Sequence, residues 1–338
     1  MAGFAVLGTG RIGAMHAEII ARSRHSRVVW TYDAVPELAE RAAALCGARW
    51  TADVDEALAD DAVEAVLIAS PTNTHADLIV RAARAGKAVF CEKPIDAELA
   101  RVEECARQLQ PYSVPIQIGF NRRFDPSHAA VETAVRAGEI GELEMLVISS
   151  RDPEPPPRPI LEACGGLFRD TTIHDLDMAR FILGEEPVEV YATASNLVDP
   201  MIGEVGDVDT AMVVLRTASG KLCHINNSRR ATYGYDQRVE AFGSKGMVRS
   251  DNPRPTALVR YGSGGTAVRD PLLHFFIERY RDAYVREIDA FVDFLEKGGP
   301  SPVSFEDGRR ALILAEAAIQ SARSGVAVKV DYGVKATS

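Results

Sequence analysis

An aspartate and a histidine four residues apart are candidates for acid/base chemistry. They are Asp170 and His174, in the stretch 165–175, which reads Gly-Gly-Leu-Phe-Arg-Asp-Thr-Thr-Ile-His-Asp. If this stretch is helical, the two side chains lie one turn apart on the same face, so the carboxylate can hold the imidazole directly or through a water. A solvated pair on an ordinary helix has the same spacing, so the pair alone leaves both interpretations open.

A lysine between an apolar strand and a proline is a second candidate. Lys93 follows the apolar run 88–91 and Glu92, and it precedes Pro94. A partly buried lysine has a lowered pKa and can donate a hydrogen bond or a proton to a substrate oxygen. The alternative is an ion pair with Glu92 or another surface acid. The bond between Lys93 and Pro94 is also a candidate for the cis form.

A glycine-rich turn near the N-terminus indicates a phosphate site. The apolar run 4–7 precedes Gly8, Gly10 and Gly13, and a helical pattern follows over 14–21. In such a turn the first glycine permits the tight bend, the second lets a pyrophosphate approach the backbone, and the third lets helix and strand pack closely. A glycine-rich turn can also simply join a strand to a helix.

An acidic residue after the next strand strengthens the dinucleotide interpretation. The run 27–32 is a predicted strand, and Asp33 follows it where a ribose-binding carboxylate is expected. No arginine adjoins Asp33, which favours NAD over NADP, although Arg11 and Arg41 leave some room for NADP. The alternative is that Asp33 caps a helix starting near Pro36.

Strand and helix patterns continue to alternate up to about residue 119. They predict an α/β fold with a parallel sheet covered by helices on both faces. Ligands bind such sheets at the carboxyl ends of the strands. The residues predicted to contact the cofactor are Gly8, Gly10, Arg11, Ile12, Gly13, Asp33, Ser70, Thr72, Asn73, His75, Glu92 and Lys93. His75 opens a predicted helix, so a partly exposed helix-end position is an equal alternative for it.

The second half has a different pattern. Extended runs at 143–150, 188–197, 209–216 and 221–227 alternate in polarity, which predicts an α+β domain with an open, mainly antiparallel sheet. The segment 228–236 is rich in hydrogen-bonding and aromatic groups and suits a polyhydroxylated ring, although an exposed sheet edge would look the same. Runs at 274–297 and 305–324 are predicted packing helices.

Composition excludes several classes of protein. The chain has 338 residues, enough for two domains with cores of their own, and its net charge of -10 argues against nucleic acid or an anionic membrane as the main partner. No apolar run of about 18 residues is present. The five cysteines form no CxxC pair, so we expect reduced thiols and a cytoplasmic protein.

Three motifs in order resemble the glucose-fructose oxidoreductase and inositol dehydrogenase family of two-domain dehydrogenases, over nearly the whole chain. They are the glycine turn 8–13, Glu-Lys-Pro at 92–94, and Asp-Thr-Thr-Ile-His-Asp at 170–175. The segments 119–125 and 233–243 look like the myo-inositol 2-dehydrogenase branch. The resemblance implies a catalytic triad of Lys93, Asp170 and His174, with Arg123 and Tyr233 also lining the substrate pocket.

The resemblance also implies what the parts do. His174 would accept the hydroxyl proton, Asp170 would orient the imidazole, and Lys93 would hold the reacting oxygen, with NAD as cofactor and no metal. We expect a Rossmann domain over 1–120 and a substrate-binding and oligomerisation domain over 121–338. A homotetramer acting in inositol catabolism is expected. The loop 150–159 gives no confident match, so the residues that set stereochemistry there stay open.

Three hypotheses follow. The first is NAD-dependent oxidation of myo-inositol to its 2-keto product. The second is a dehydrogenase of another inositol isomer or of a pyranose. The third is a non-catalytic NAD-sensing regulator on the same fold, which would have no need of Lys93, Asp170 and His174 together.

Overall fold

A computed structural model describes residues 1–333. Its strands are β1 (Ala2–Leu7), β2 (Ser26–Tyr32), β3 (Arg49–Thr51), β4 (Ala65–Ile68), β5 (Ala88–Glu92), β6 (Ile116–Gly119), β7 (Leu143–Arg151), β8 (Pro187–Ser195), β9 (Thr210–Thr217), β10 (Leu222–Ser228), β11 (Asp236–Gly243), β12 (Gly246–Ser250), β13 (Val259–Gly262), β14 (Gly265–Arg269) and β15 (Val328–Lys329). Its α-helices are α1 (Arg11–Arg22), α2 (Pro36–Cys46), α3 (Val54–Leu58), α4 (His75–Arg84), α5 (Leu99–Leu109), α6 (Pro126–Arg136), α7 (Arg158–Ala163), α8 (Ile173–Leu183), α9 (Pro200–Glu204), α10 (Phe276–Arg279), α11 (Arg281–Lys297) and α12 (Phe305–Ser324).

The first unit is built on a parallel sheet. Its strand order is β3-β2-β1-β4-β5-β6, and every neighbouring pair is parallel. The residues of β1 and β4 are buried throughout, as expected for strands covered on both faces. The strand order reverses between β1 and β4, and ligands of such sheets bind beyond the carboxyl ends of the strands at that point. The predicted parallel α/β fold is confirmed.

A late segment of the chain belongs to this first unit. The chain divides into residues 1–121 with Tyr284–Arg310, and Arg122–Ala283 with the residues from Ala311 onward. Ile288, Phe291 and Val292 of α11 share a buried core with Phe4 and Phe90. The sequence predicts one boundary near residue 120. Amphipathic spacing identifies α11 as a packing helix but does not reveal which sheet it covers.

The second unit has a seven-stranded mixed sheet, ordered β12-β11-β7-β10-β9-β8-β15. The pair β7 and β10 is parallel, whereas the other neighbouring pairs are antiparallel. The prediction of a mainly antiparallel sheet is confirmed. Its inner face packs on α8, whose residues are buried almost all round, together with residues 314–318 of α12.

One predicted helix differs in detail from the structure. The helix predicted over 274–297 is broken at Tyr280, which has φ -108° and ψ 16° and is 2 % exposed. Apolar periodicity continues through the break, so it gives no signal there. Among the described residues, no helix is both long enough and apolar enough to cross a membrane.

Candidate active site

The three glycines of the first turn have different steric requirements. Gly8 has φ +90°, and a Cβ there would lie 2.4 Å from the Ser70 nitrogen. A Cβ on Gly13 would lie 1.8 Å from the Gly8 carbonyl oxygen, whereas a Cβ on Gly10 would meet no atom within 4 Å. Gly10 is also the N-cap of α1, and as a glycine it has no side chain that could cap the helix. The turn is therefore tight at Gly8 and Gly13 and open at Gly10, beside the positive end of α1.

Asp33 lies against this turn. Its Oδ2 accepts hydrogen bonds from the Thr9 nitrogen at 2.7 Å and the Thr9 hydroxyl at 3.2 Å, and its Oδ1 accepts one from the Val35 nitrogen at 3.0 Å. The N-cap of α2 is Val35, with no side-chain cap bond, so Asp33 does not cap that helix. The carboxylate instead joins the end of β2 to the glycine turn.

His75 is buried, so the partly exposed helix-end position expected as an alternative is wrong. The ring is 2 % exposed; Nδ1 lies 2.8 Å from the Pro94 carbonyl oxygen and Nε2 lies 2.8 Å from the Ser70 carbonyl oxygen. Burial lowers the pKa of His75, and the hydrogen bonds with the two carbonyl groups oppose this. Each ring nitrogen faces a main-chain carbonyl oxygen, so the ring lies between the loop after β4 and the loop after β5, and its contact with the cofactor stays a prediction. Thr72 is half-buried and Asn73 is exposed on the adjoining 3-10 turn, Thr72–Thr74.

Lys93 is half-buried at the end of β5, and its peptide bond to Pro94 is cis. The preceding Glu92 lies with its Oε1 2.8 Å from Nε2 of His16, a fully buried residue of α1. The Glu92 carboxylate therefore pairs with His16, a residue that the sequence did not identify as a candidate.

Asp170 and His174 lie on an irregular helical segment. Residues Phe168–Thr172 form a π-helical turn, and α8 begins at Ile173. The stretch is therefore helical, as the spacing of Asp170 and His174 required, but Asp170 lies on the π-helical turn and not on α8. Both residues are half-buried, whereas the intervening residues 171–173 are buried. The segment exposes an acid and a base together, and π-helical turns are frequent at functional sites.

A cluster of buried polar residues contacts the end of the π-helical turn and the start of α8. Arg122 Nη1 donates to Asp175 Oδ1 at 2.5 Å, and Asn227 Nδ2 donates to Asp175 Oδ2 at 2.7 Å. The Thr172 hydroxyl donates to Asn227 Oδ1 at 2.9 Å. Removing one partner from such a cluster leaves a buried polar group unsatisfied, at a cost of about 1–3 kcal/mol or more. Arg122 and Asn227 carry no motif signal, because their importance depends on contacts distant in sequence.

Arg123 is held by another acid. Its Nε donates to Asp177 Oδ2 at 2.8 Å and its Nη2 to Asp177 Oδ1 at 2.5 Å, and its side chain is 9 % exposed. Two of its three nitrogens therefore bind inside the second unit. This is a paired, oriented arginine and not a mobile surface residue.

Asp152 is a further carboxyl that sequence reasoning missed. Burial raises the pKa of Asp152 to about 6; the Arg229 guanidinium opposes this increase and the Asp170 carboxylate adds to it. Asp152 therefore lies close enough to Asp170 for their charges to interact. It falls within the loop 150–159, for which the resemblance gave no confident match, so neither pattern nor resemblance singled it out.

Tyr233 contacts two charged residues of the second unit, Arg151 and Asp236. It is 50 % exposed; its hydroxyl donates to Asp236 Oδ2 at 2.8 Å and accepts from Arg151 Nη1 at 2.9 Å. A cavity of about 780 Å³ in the second unit is lined by Tyr233, Asp236, Arg238 and other polar residues, but not by Asp170 or His174. The segment 228–236 thus combines a buried part with an exposed tyrosine.

Comparisons with known proteins cover both units. The family model "Oxidoreductase family, NAD-binding Rossmann fold" matches residues 2–120, and the model "GFO/IDH/MocA C-terminal domain" matches residues 128–249. The chain is 51% identical over 319 residues, 94% of this chain and 96% of the other, to "Inositol 2-dehydrogenase" of Rhizobium meliloti.

Two solved structures are similar to the whole chain. A "Myo-inositol dehydrogenase" from Corynebacterium glutamicum has 45% identity and a TM-score of 0.94, covering 98% of this chain and 99% of its own. A scyllo-inositol dehydrogenase from Lactobacillus casei, solved with bound NAD(H) and scyllo-inositol, has 28% identity and a TM-score of 0.90, covering 97% of this chain and 99% of its own.

Proposed function

The chain belongs to the GFO/IDH/MocA oxidoreductase family, and on this premise we propose that it oxidises a secondary alcohol of a cyclitol with NAD. The first candidate is myo-inositol, converted to 2-keto-myo-inositol. The observation that carries this choice is the 51% identity, over 94% of the chain, to a protein named inositol 2-dehydrogenase. Inositol catabolism is the process in which such a step belongs.

The first unit fits a dinucleotide. Gly10 leaves space for a pyrophosphate beside the N-terminus of α1, and Asp33 presents a carboxylate at the end of β2, where a ribose is bound in this fold. We assign the cofactor contacts to Gly8–Gly13 and Asp33, with Ser70, Thr72, Asn73, Glu92 and Lys93 as further candidates. NAD, when bound, accepts the hydride.

Three side chains of this chain handle the substrate oxygen and its proton. His174 accepts the hydroxyl proton, and Asp170 orients the imidazole and stabilises its protonated form. Lys93 donates a hydrogen bond to the reacting oxygen. Support comes from their exposure: all three are half-buried, so each is held by its surroundings and still accessible to a small molecule.

Substrate recognition is assigned to the second unit as well. Arg123 and Tyr233 are the candidates from the family resemblance, and the pairing of Arg123 with Asp177 orients its guanidinium. We add Asp152, because its charge interacts with that of Asp170. A carboxyl group at this place can accept a hydrogen bond from a ring hydroxyl.

A second substrate is favoured by a specific relative. The Lactobacillus casei enzyme named scyllo-inositol dehydrogenase has the same fold over 97% of this chain, so scyllo-inositol is the main alternative among isomers. A pyranose is a further alternative. The non-catalytic regulator is disfavoured, because the sequence contains Lys93, Asp170 and His174 together.

We also propose a homotetramer in the cytoplasm. The outer face of the second sheet exposes large apolar side chains at alternate strand positions, including Met145, Met212, Val214 and Phe242. A second copy of this chain, bound face to face, would remove them from water. The five free cysteines support a reducing compartment.

The replacement Lys93→Ala tests the catalytic assignment. Turnover should fall by about 10²–10⁴-fold, whereas NAD binding, followed by calorimetry, stays measurable. Lys87→Ala is the matched control, because Lys87 is a half-buried lysine at the other end of β5 that donates only to a main-chain carbonyl, that of Asp60. Unchanged turnover in Lys93→Ala would refute the assignment.

A further inference from the structure

The two residues that flank Lys93 are each held by a buried histidine. Glu92 precedes Lys93 and lies 2.8 Å from His16 Nε2, and Pro94 follows Lys93 and presents its carbonyl oxygen 2.8 Å from His75 Nδ1. His16 is 0 % exposed and His75 is 2 % exposed. All five residues belong to the first unit.

His16 is fixed by its packing. Its ring meets the rings of Phe90 and Tyr284 edge-on, with centroid distances of 5.6 Å and 5.5 Å. Phe90 lies on β5, two residues before Glu92, so the same strand both packs against His16 and pairs with it. A buried imidazole without rotational freedom can hold a carboxylate in one position.

His75 makes the corresponding contact on the other side. Its second nitrogen, Nε2, lies 2.8 Å from the Ser70 carbonyl oxygen, so the ring joins the loop after β4 to the loop after β5. These loops follow neighbouring parallel strands. The ring thus sets the separation of two loops at the carboxyl edge of the sheet.

We propose that His16 and His75 are positioning residues that hold Glu92 and Pro94 and thereby fix the backbone of Lys93 between them. This inference rests on the proposed function, in which Lys93 holds the reacting oxygen. Catalysis depends on such placement, because a displacement of about 1 Å can cost about 10²-fold in rate. Neither histidine needs to touch substrate or cofactor for this role.

Glu287 is a third ionisable residue beside His16 and Glu92. It is 0 % exposed, its two carboxylate oxygens have no hydrogen-bond partner within the described chain, and its ligand atom lies within 4.8 Å of those of His16 and Glu92. Burial and the charge of Glu92 raise the pKa of Glu287 well above its usual value.

The same three side chains are of the types that bind a divalent cation. A proton on Glu287 and a cation among the three are competing ways to balance the charges of the buried Glu287 and the half-buried Glu92. The variant Glu287→Gln separates them, since glutamine resembles the neutral acid but is a poor metal ligand. If the positioning proposal holds, Glu287→Gln turns over within about twofold of wild type. Added Zn²⁺ or Mn²⁺ then does not raise the unfolding temperature of the wild-type protein.

Paired variants of each histidine test the proposal. His16→Leu and His75→Leu remove the polar contacts. His16→Gln restores a side-chain nitrogen near Nε2, which faces Glu92, and His75→Asn restores one near Nδ1, which faces the Pro94 carbonyl oxygen. We expect each leucine variant to lose about 10–100-fold in kcat, with NAD affinity within about threefold of wild type, and the two amide variants to recover most of the loss. Each kcat is divided by the fraction of the protein that binds NAD, so that unfolded protein does not lower the compared values.

The control is His128→Leu. His128 is also a buried histidine, with Nδ1 2.9 Å from the Ser250 hydroxyl, but it lies in the second unit and has no part in holding Glu92 or Pro94. It should lower the unfolding temperature without lowering normalised kcat. Equal kcat in wild type and both leucine variants would overturn the proposal, and so would loss of NAD binding in step with turnover. Stoichiometric metal binding that Glu287→Gln abolishes would also overturn it.

A structural measurement separates this inference from the proposed function. Crystal structures of His16→Leu and His75→Leu should show Lys93 displaced from its wild-type position relative to the first sheet. If wild-type protein oxidises no cyclitol or sugar, the proposed function fails, and the displacement of Lys93 still decides the positioning role. An unmoved Lys93 in both variants contradicts it.

Discussion

Burial keeps His128 in its neutral form. The loss of solvation lowers the pKa of His128 to about 3, against the opposing charge of Asp125. In the unfolded chain the same group titrates near pH 6.5, so between about pH 6.5 and pH 3 the unfolded state binds more protons. Stability is complete above that range and is lost as the pH falls through it.

His128→Asn should therefore reduce the acid sensitivity of folding. The wild-type free energy of unfolding should fall by at most about 1.4 kcal/mol per pH unit on account of this one group, and the variant should lack this contribution. Urea titrations between pH 7 and pH 4 measure the slope. His25→Asn, at an exposed position, is the control and should leave the slope unchanged. Parallel slopes in wild type and His128→Asn would contradict the prediction.

Individual residues were predictable to different extents. Asp33, Lys93, Asp170 and His174 stand at fixed places in motifs, so sequence identifies them as candidates. His75 also has a motif position, but its burial between two carbonyl groups depends on loops distant in sequence. Asp152 has no motif signal, since its importance comes from its surroundings in the folded chain.

The glycine turn before α1 gives a prediction for that element. Gly10→Ala should weaken NAD binding by about tenfold or more while leaving thermal stability near wild type, since its Cβ meets no protein atom. Gly13→Ala should destabilise the fold by about 1–3 kcal/mol, because its Cβ would collide with the Gly8 carbonyl. Calorimetric titration with NAD and thermal unfolding of both variants give the comparison. A reversed pattern would show that the open position is not at Gly10.

Regular elements were predicted well, and irregular ones were not. Strands β1 and β5 have continuous apolar runs and α12 has clear helical spacing, so their bounds lie close to the predicted ones, whereas the short strand β3 was not predicted. The π-helical turn Phe168–Thr172 and the break at Tyr280 have no local signature. The buried pair of Asp175 with Arg122, beside the π-helical turn, joins residues 53 apart in sequence, which no local window contains.

At the scale of the whole molecule, the prediction concerns the oligomeric state. The variant Met212→Lys with Val214→Lys should dissociate the proposed tetramer, because two charges enter an apolar face on β9. Light scattering after size exclusion measures the mass. Leu45→Lys is the control, an apolar residue of the first unit that is 66 % exposed. An unchanged mass in the double variant, or a monomeric wild type, would contradict the proposed interface.

The division of the chain could not be predicted at the same scale. Sequence places a change of pattern near residue 120, where strand and helix alternation ends. Tyr284–Arg310 belongs to the first unit because Ile288 and Phe291 pack in its core. The spacing of apolar residues along a helix does not show which sheet the helix packs against.

The most direct test of the proposed function is NADH formation by the purified protein with single substrates. Absorbance of NADH is followed with NAD and myo-inositol, scyllo-inositol, D-chiro-inositol or glucose, and kcat/KM is compared across them. The account predicts turnover of myo-inositol with the highest kcat/KM of the set, since a pocket that pairs each hydroxyl discriminates strongly against a misplaced one. A protein that binds NAD but leaves myo-inositol unoxidised would contradict it.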